Sequence, residues 1–472
     1  MINGAIPLYP KRWTRHPTRQ FYYATRREML CKGPLGVRDQ AMLPERSTNN
    51  ITQQGDGRNP ALVTILLDGY RYDYLEKAKE LDLTGFGAIL DNGVKADYLI
   101  PTYPTESYPN YYSLMTGLYC ESHGMIGNYM YDEIHNTSFL IGTNPEQNAS
   151  YFWDDGDPLW ITAKRQGLKS VMHYWPGCEV EIRGLRPDYC APYNGVPNKT
   201  MMEIAIDRTV EELSNGVAYA GIYYEASDKK GHIYGPDSPV ILNVTREVDD
   251  LLLQLHNKLE DNNLIDSTNI MIFSDHGMVA IDPLQRVLNV SVNMENIERS
   301  FKSSIYSQIW PKENMTSKVY DELIALKDTL GHFNVYLKAD LPERWHLKNH
   351  YRVAPIVLLP DEGYIIQLPD AKVNTNLGGH GYDNNVRDMR ATFIISGPGV
   401  KKKSTHKAIS AVELYQLMCH ILNIDASPHN GTWANVKGML TQASGAHTFL
   451  FCNTMTLTMI IWTTMEFLYH YL

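Results

Sequence analysis

Four separate stretches place carboxylate and imidazole side chains directly after short apolar runs. Asp68 follows Leu66-Leu67, and Asp275-His276 follows the run 270–273. Asp228 and His232 stand four apart after the run that ends near Tyr224, a spacing that sets both on one face of a helical turn. His380 sits among Gly378, Gly379 and Gly381, which leave space around an imidazole. Asp and His groups with an open position are what a catalytic zinc site requires. Each stretch alone has an ordinary explanation as a turn acid, a surface pair or a loop histidine. Four of them at comparable strand ends make coincidence a poor account. A fifth stretch, Tyr103-Pro104-Thr105-Glu106-Ser107-Tyr108-Pro109-Asn110-Tyr111-Tyr112, brings a serine to the start of a helix. Such a serine is either an N-cap or a nucleophile.

The elements that must carry these groups are legible as continuous apolar runs at 62–67, 170–174, 219–224, 270–273 and 392–395. Between them lie amphipathic stretches such as 201–213 and 248–259. Strands without alternation, interleaved with helices, predict an α/β fold with a largely parallel sheet covered on both faces. In such sheets ligands bind beyond the carboxyl ends of the strands. The stretch 300–370, richer in Lys, Pro and Tyr, reads as a small inserted subdomain.

Taken together, the motifs Pro-Thr-x-Ser-Tyr-Pro-Asn, Tyr174-Trp175-Pro176-Gly177, Tyr223-x-Glu225-x-x-Asp228-x-x-Gly231-His232 and Phe273-Ser274-Asp275-His276-Gly277-Met278 resemble the ectonucleotide pyrophosphatase/phosphodiesterase family of the alkaline phosphatase superfamily. The resemblance runs from about Ala61 to about Gly438 and implies an alkaline-phosphatase-like fold. It implies two zinc ions, one held by Asp228, His232 and His380. The other is held by Asp68, Asp275 and His276, with Ser107 as nucleophile and ligand. Asn128 matches the family asparagine that donates to a phosphate oxygen. The implied reaction passes through a phosphoryl-serine. Every expected ligand and the nucleophile are present, which argues against an inactive binding protein on the same scaffold.

Most of the family has a threonine nucleophile preceded by lysine, where this chain has Glu106-Ser107. The Ser-Tyr-Pro-Asn-Tyr-Tyr form, Gly127-Asn128-Tyr129-Met130 and 175–181 look most like the choline-specific glycerophosphodiesterase branch. That branch releases phosphocholine from glycerophosphocholine and lysophosphatidylcholine. A quaternary ammonium cannot donate a hydrogen bond, so aromatic faces and a carboxylate must recognise it, at about 0.5–2 kcal/mol per contact. Tyr174, Tyr193, Tyr223 and Asp207 are the candidate substrate-binding residues, with Trp175, Tyr189 and Glu225 nearby in sequence. Aromatics also stack on bases, so a nucleotide pyrophosphatase or an alkaline sphingomyelinase on the same metal core is the alternative.

The bulk properties fit this reading. A formal net charge of -10 over 472 residues disfavours nucleic acid as a partner, because binding it needs phosphates to be neutralised. Asn50, Asn136, Asn148, Asn198, Asn243, Asn289, Asn314 and Asn430 each open an Asn-x-Ser/Thr triplet, as expected of a secreted or surface glycoprotein. Cys178 and Cys190 are close enough to close a small loop, as a disulfide outside the cytosol or as two buried thiols. Cys419 and Cys452 are candidates for bridging a homodimer. Residues 1–60 read as a basic leader, with ten Lys/Arg against four Asp/Glu over 1–59 and no signal-peptide core. The catalytic domain is expected over 61–440. The apolar tail 441–472, preceded by Ala443-Ser444-Gly445, resembles a glycolipid-anchor signal, which would place the mature protein on the outer face of the plasma membrane.

Overall fold

Apolar side chains fill both faces of the runs at 62–67, 219–224 and 270–273, so these segments can only be interior strands. The computed structural model describes residues 60–441, apart from 143, 144, 302, 304 and 370. The leader, most of the tail with its anchor-like signal, Asn50 and Cys452 lie outside the described residues. Eight strands form the main sheet: β1 (Ala61–Leu67), β2 (Gly93–Ala96), β3 (Ser170–His173), β4 (Tyr189–Ala191), β5 (Tyr219–Tyr224), β6 (Thr268–Phe273), β7 (Phe393–Ser396) and β8 (Ser404–His406). Their order is β8-β2-β7-β6-β1-β5-β3-β4. All run parallel except β7, which is antiparallel to both β2 and β6. The expected alkaline-phosphatase-like α/β architecture is thus present, with one reversed strand.

Register decides where the chemistry goes. Leu66 of β1 lies opposite Tyr223 of β5 and Phe273 of β6. The chain therefore leaves the three central strands at one level, and Asp68, Glu225 and Asp275 emerge side by side.

Helices cover both faces. On one, α2 (Lys199–Ser214) and α4 (Pro239–Asp261) lay Ala205, Ile206, Val210, Val244, Val248 and Leu252 on Val63, Ile65, Ala220 and Ile222. The Ser238 hydroxyl caps α4 ahead of Pro239, whose fixed φ suits a first helical position. On the other face α1 (Ser107–Thr116) buries Tyr111, Tyr112, Leu114 and Met115 against the sheet. Between α2 and α4 in sequence, α3 (Ala226–Tyr234) follows β5 directly.

The inserted subdomain is a four-stranded antiparallel sheet of Ile297–Phe301, Ser307–Pro311, Phe333–Leu337 and Ile356–Pro360. The helix Thr316–Leu330 packs on it over a separate small core. Cys178 and Cys190 are joined as a disulfide. Cys419 is 1% exposed in the core, so the expectation that it bridges two chains is corrected: its sulfur has no path to a partner. The seven described Asn-x-Ser/Thr asparagines, from Asn136 to Asn430, are all exposed. Among the described residues no helix is long and apolar enough to cross a membrane.

Candidate active site

Six side chains from the four segments converge in two trios. Asp68, Asp275 and His276 bring one ligand atom each to within 4.8 Å of one another, and so do Asp228, His232 and His380. The first trio rides on the ends of β1 and β6. The second combines one turn of α3 with His380, which follows the short strand Gly378–Gly379 paired with Val279–Ala280. The His276 and His380 rings stack 3.7 Å apart and join the two halves. Gly69 allows the halves to meet: its φ is +64°, and a Cβ there would press to 2.9 Å on Asp228.

Each imidazole is oriented from behind. Nδ1 of His276 donates to Gly277 O (2.8 Å), that of His232 to Gly378 O (2.8 Å) and that of His380 to Thr105 O (3.0 Å). A carbonyl can only accept, so the proton belongs on Nδ1 and each Nε2 turns a lone pair into the cluster. Facing these lone pairs are carboxylate oxygens. His276 Nε2 lies 3.4 Å from Asp68 Oδ1 and 3.2 Å from Asp275 Oδ2, while Asp228 Oδ1 is 3.3 Å from His232 Nε2 and 3.5 Å from His380 Nε2. These three oxygens are buried without a hydrogen-bond donor. Acceptors packed against acceptors in a buried site are unfavourable unless positive charge lies between them. The residues fit divalent cations in both halves.

The protonation shifts differ between the two trios. Burial, with Asp275 and Asp228 adding like charge, raises Asp68 well above the ordinary carboxylate range. Burial also raises Asp275, which His276 counters only in part. Burial drives His380 well below its usual pKa, and His276 pushes the same way. At Asp228 burial pushes upward, but His232 and its neighbours outweigh it and the net shift is downward.

Ser107 is the first residue of α1, and its Oγ stands 3.3 Å from His276 Nε2. The dipole of this helix end favours an anion beside the hydroxyl. Asn128 is tied in from both sides: its N–H donates to Glu106 Oε2 (2.8 Å), and its Oδ1 accepts the Tyr108 N–H (2.9 Å). The amide NH2 is left on the opposite side. Glu106 is buried, which pushes its carboxyl up to about 7.

The candidate substrate residues separate. The Tyr223 hydroxyl, with one proton to give, lies 2.5 Å from Asp68 Oδ2 and 2.9 Å from Glu225 Oε2, and Tyr193 donates to Glu225 Oε1 (2.7 Å), so Tyr223, Tyr193 and Glu225 form a wall beside Asp68. Tyr174 stands apart, its hydroxyl donating to Met201 O (3.3 Å). Asp207 is not brought to the cluster. It is exposed on α2, paired with Lys258 at 2.9 Å in a surface cleft with Glu211 and Asn262, and leaves the substrate set. Tyr111, which the sequence reading passed over, also donates to Asp68 Oδ2. Its place four residues after Ser107, on the same helical face, was the available signal.

The family model for type I phosphodiesterase/nucleotide pyrophosphatase matches residues 62–383, a span that includes all six clustered groups and Ser107. The chain belongs to this family. Human ectonucleotide pyrophosphatase/phosphodiesterase family member 5 is 34% identical over 399 residues, covering 84% of this chain and 81% of the relative. Human bis(5'-adenosyl)-triphosphatase is 33% identical, covering 81% and 82%. The solved structure of an inactive form of murine family member 5 in complex with AMP superposes with a TM-score of 0.75 at 36% identity, covering 81% of this chain and all of that one. This phosphodiesterase shares its fold with that structure. Both human relatives carry nucleotide names, and the expected choline branch gains no support from them.

Proposed function

We propose that this phosphodiesterase uses Ser107 as its nucleophile, with zinc held by Asp68, Asp275 and His276 in one half and by Asp228, His232 and His380 in the other. The observation that carries the reading is the three donorless carboxylate oxygens facing three imidazole lone pairs beside one serine hydroxyl. Zinc bound there would supply the positive charge that lowers the pKa of a hydroxyl and offsets charge on phosphate oxygens. Ser107 Oγ forms a bond to phosphorus as the bond to the leaving oxygen breaks, and that oxygen takes up a proton. Water then cleaves the phosphoryl-serine and restores the hydroxyl. The start of α1 and the Asn128 NH2 orient the phosphate oxygens for both steps.

For the substrate, the relatives favour a nucleotide phosphodiester or pyrophosphate, and this is the first reading. A choline phosphodiester is the second. It is favoured by the wall of Tyr193, Tyr223 and Glu225 next to Asp68, where aromatic faces and a carboxylate would suit a quaternary ammonium. Rates on p-nitrophenyl thymidine monophosphate, p-nitrophenyl-phosphocholine and glycerophosphocholine separate them. A ten-fold preference for the nucleotide ester upholds the first reading, and the reverse preference replaces it with the second. Failure to cleave any of the three, with zinc present, sinks the hydrolase.

A further inference from the structure

The six groups come from four segments far apart in sequence, and something other than the strands must hold those segments in register. Arg71, three residues after Asp68, is 2% exposed and spends all five of its N–H donors inside the protein. Nε donates to Asp73 Oδ1 (2.7 Å) and Nη2 to Asp73 Oδ2 (3.2 Å), which locks the guanidinium to its own loop. The remaining donors reach the other three segments. Nη1 meets Met278 O (3.0 Å), two residues after His276, and Asp388 Oδ2 (2.8 Å), eight residues after His380. Nη2 meets Asp237 Oδ1 (2.9 Å), five residues after His232.

Backbone contacts run the same way. Tyr72 N donates to Arg390 O (3.2 Å), the Thr392 hydroxyl donates to Arg71 O (3.3 Å), and Gly277 N donates to Met389 O (2.9 Å). None of these atoms touches the cluster. They fix the bases of the loops that carry it, below the groups that face the substrate.

We infer that Arg71 is a positioning residue for both halves of the cation site, a planar five-donor clamp that sets the spacing of the four ligand-bearing segments. The inference rests on the zinc reading of the cluster. A lysine keeps the charge but is a point donor and cannot span acceptors in four directions, so Arg71→Lys is not conservative here. Groups that orient metal ligands typically contribute 10–100-fold in metal affinity or activity.

The test is a zinc titration of the full chain against a competing fluorescent chelator, for wild type, Arg71→Lys and Asp388→Asn, each also melted without metal. Arg71→Lys is expected to bind zinc about ten-fold or more weakly, and Asp388→Asn by a smaller factor in the same direction. Activity of both should recover as free zinc is raised. If Arg71→Lys does not fold, Asp388→Asn decides. Zinc affinity within two-fold of wild type in the folded variants overturns the inference and leaves the zinc reading intact. A wild-type chain that binds no zinc overturns the zinc reading itself.

Discussion

The two halves of the cluster are built in different ways. Asp68, Asp275 and His276 are at most 2% exposed and stand on the ends of adjacent strands. Behind them Tyr111 and Tyr223 donate to Asp68 Oδ2, and the Gly69 N–H donates to Asp275 Oδ1 (3.1 Å). In the outer half the Asp228 and His232 side chains are 19% and 24% exposed, on one helical turn, and His380 comes from a loop. The inner half is set by sheet register, which a protein cannot change without unpairing strands. The outer half depends on the segment 378–381 docking against α3, with Leu377 N donating to His232 O (2.8 Å). Position is therefore built into the central sheet on one side and, on the other, assembled from a helical turn and a short strand, Gly378–Gly379, paired with Val279–Ala280. Burial also sharpens the need for a cation, because an unneutralised carboxylate costs more the less water reaches it.

This contrast can be broken in several ways. The largest effect is expected from Ser107→Ala, which should lower kcat by about 10³-fold or more while zinc content stays at the wild-type level. Loss of zinc in that variant would mean the serine is needed to hold the metal. Next, a chelator should remove zinc in two stages, with the outer ion leaving first. Asp228→Asn should weaken the early stage and Asp275→Asn the late one, read as zinc remaining per chain against chelator concentration. A single stage, or the reverse assignment, would break the comparison of the halves.

A smaller change is expected for Tyr223→Phe, which removes one hydroxyl from Asp68 and from Glu225. Inner-half zinc affinity should fall by about ten-fold, with the outer stage unmoved. The smallest effect tests the scaffold. His123 is buried, which lowers its pKa to about 3, and it bonds Ser113 Oγ (2.8 Å) on α1. The unfolded chain takes up this proton below about pH 6.5. The folded chain takes it up only near pH 3, so stability is lost as pH falls between the two, by up to about 1.4 kcal/mol per pH unit. His123→Gln should flatten that part of the melting-temperature profile and leave it unchanged above pH 7. An unchanged acid slope would show that His123 is not neutral in the fold.

The same contrast explains what the sequence made legible. Apolar runs mark interior strands, and the acids and imidazoles just beyond them mark the strand ends, so the six groups and the parallel sheet could be read from spacing. A run carries no direction, and β7 therefore reads like its neighbours while running the other way. Asp207 looked like a pocket acid because composition near a motif says nothing about which side of a helix faces it. Lys258 claims it instead. Arg71, Glu106 and Tyr111 act through partners 317, 22 and 43 residues distant, contacts that no local pattern encodes. The substrate is the hardest to read, since a tyrosine can face a base or a trimethylammonium alike.

The most direct test of the central claim is anomalous scattering at the zinc edge from crystals of the zinc-loaded protein. Two peaks are expected, one among Asp68, Asp275 and His276 and the other among Asp228, His232 and His380, both within reach of Ser107 Oγ. A metal-free crystal from protein that hydrolyses phosphodiesters at full rate, or a peak bound away from these six groups, would contradict the account.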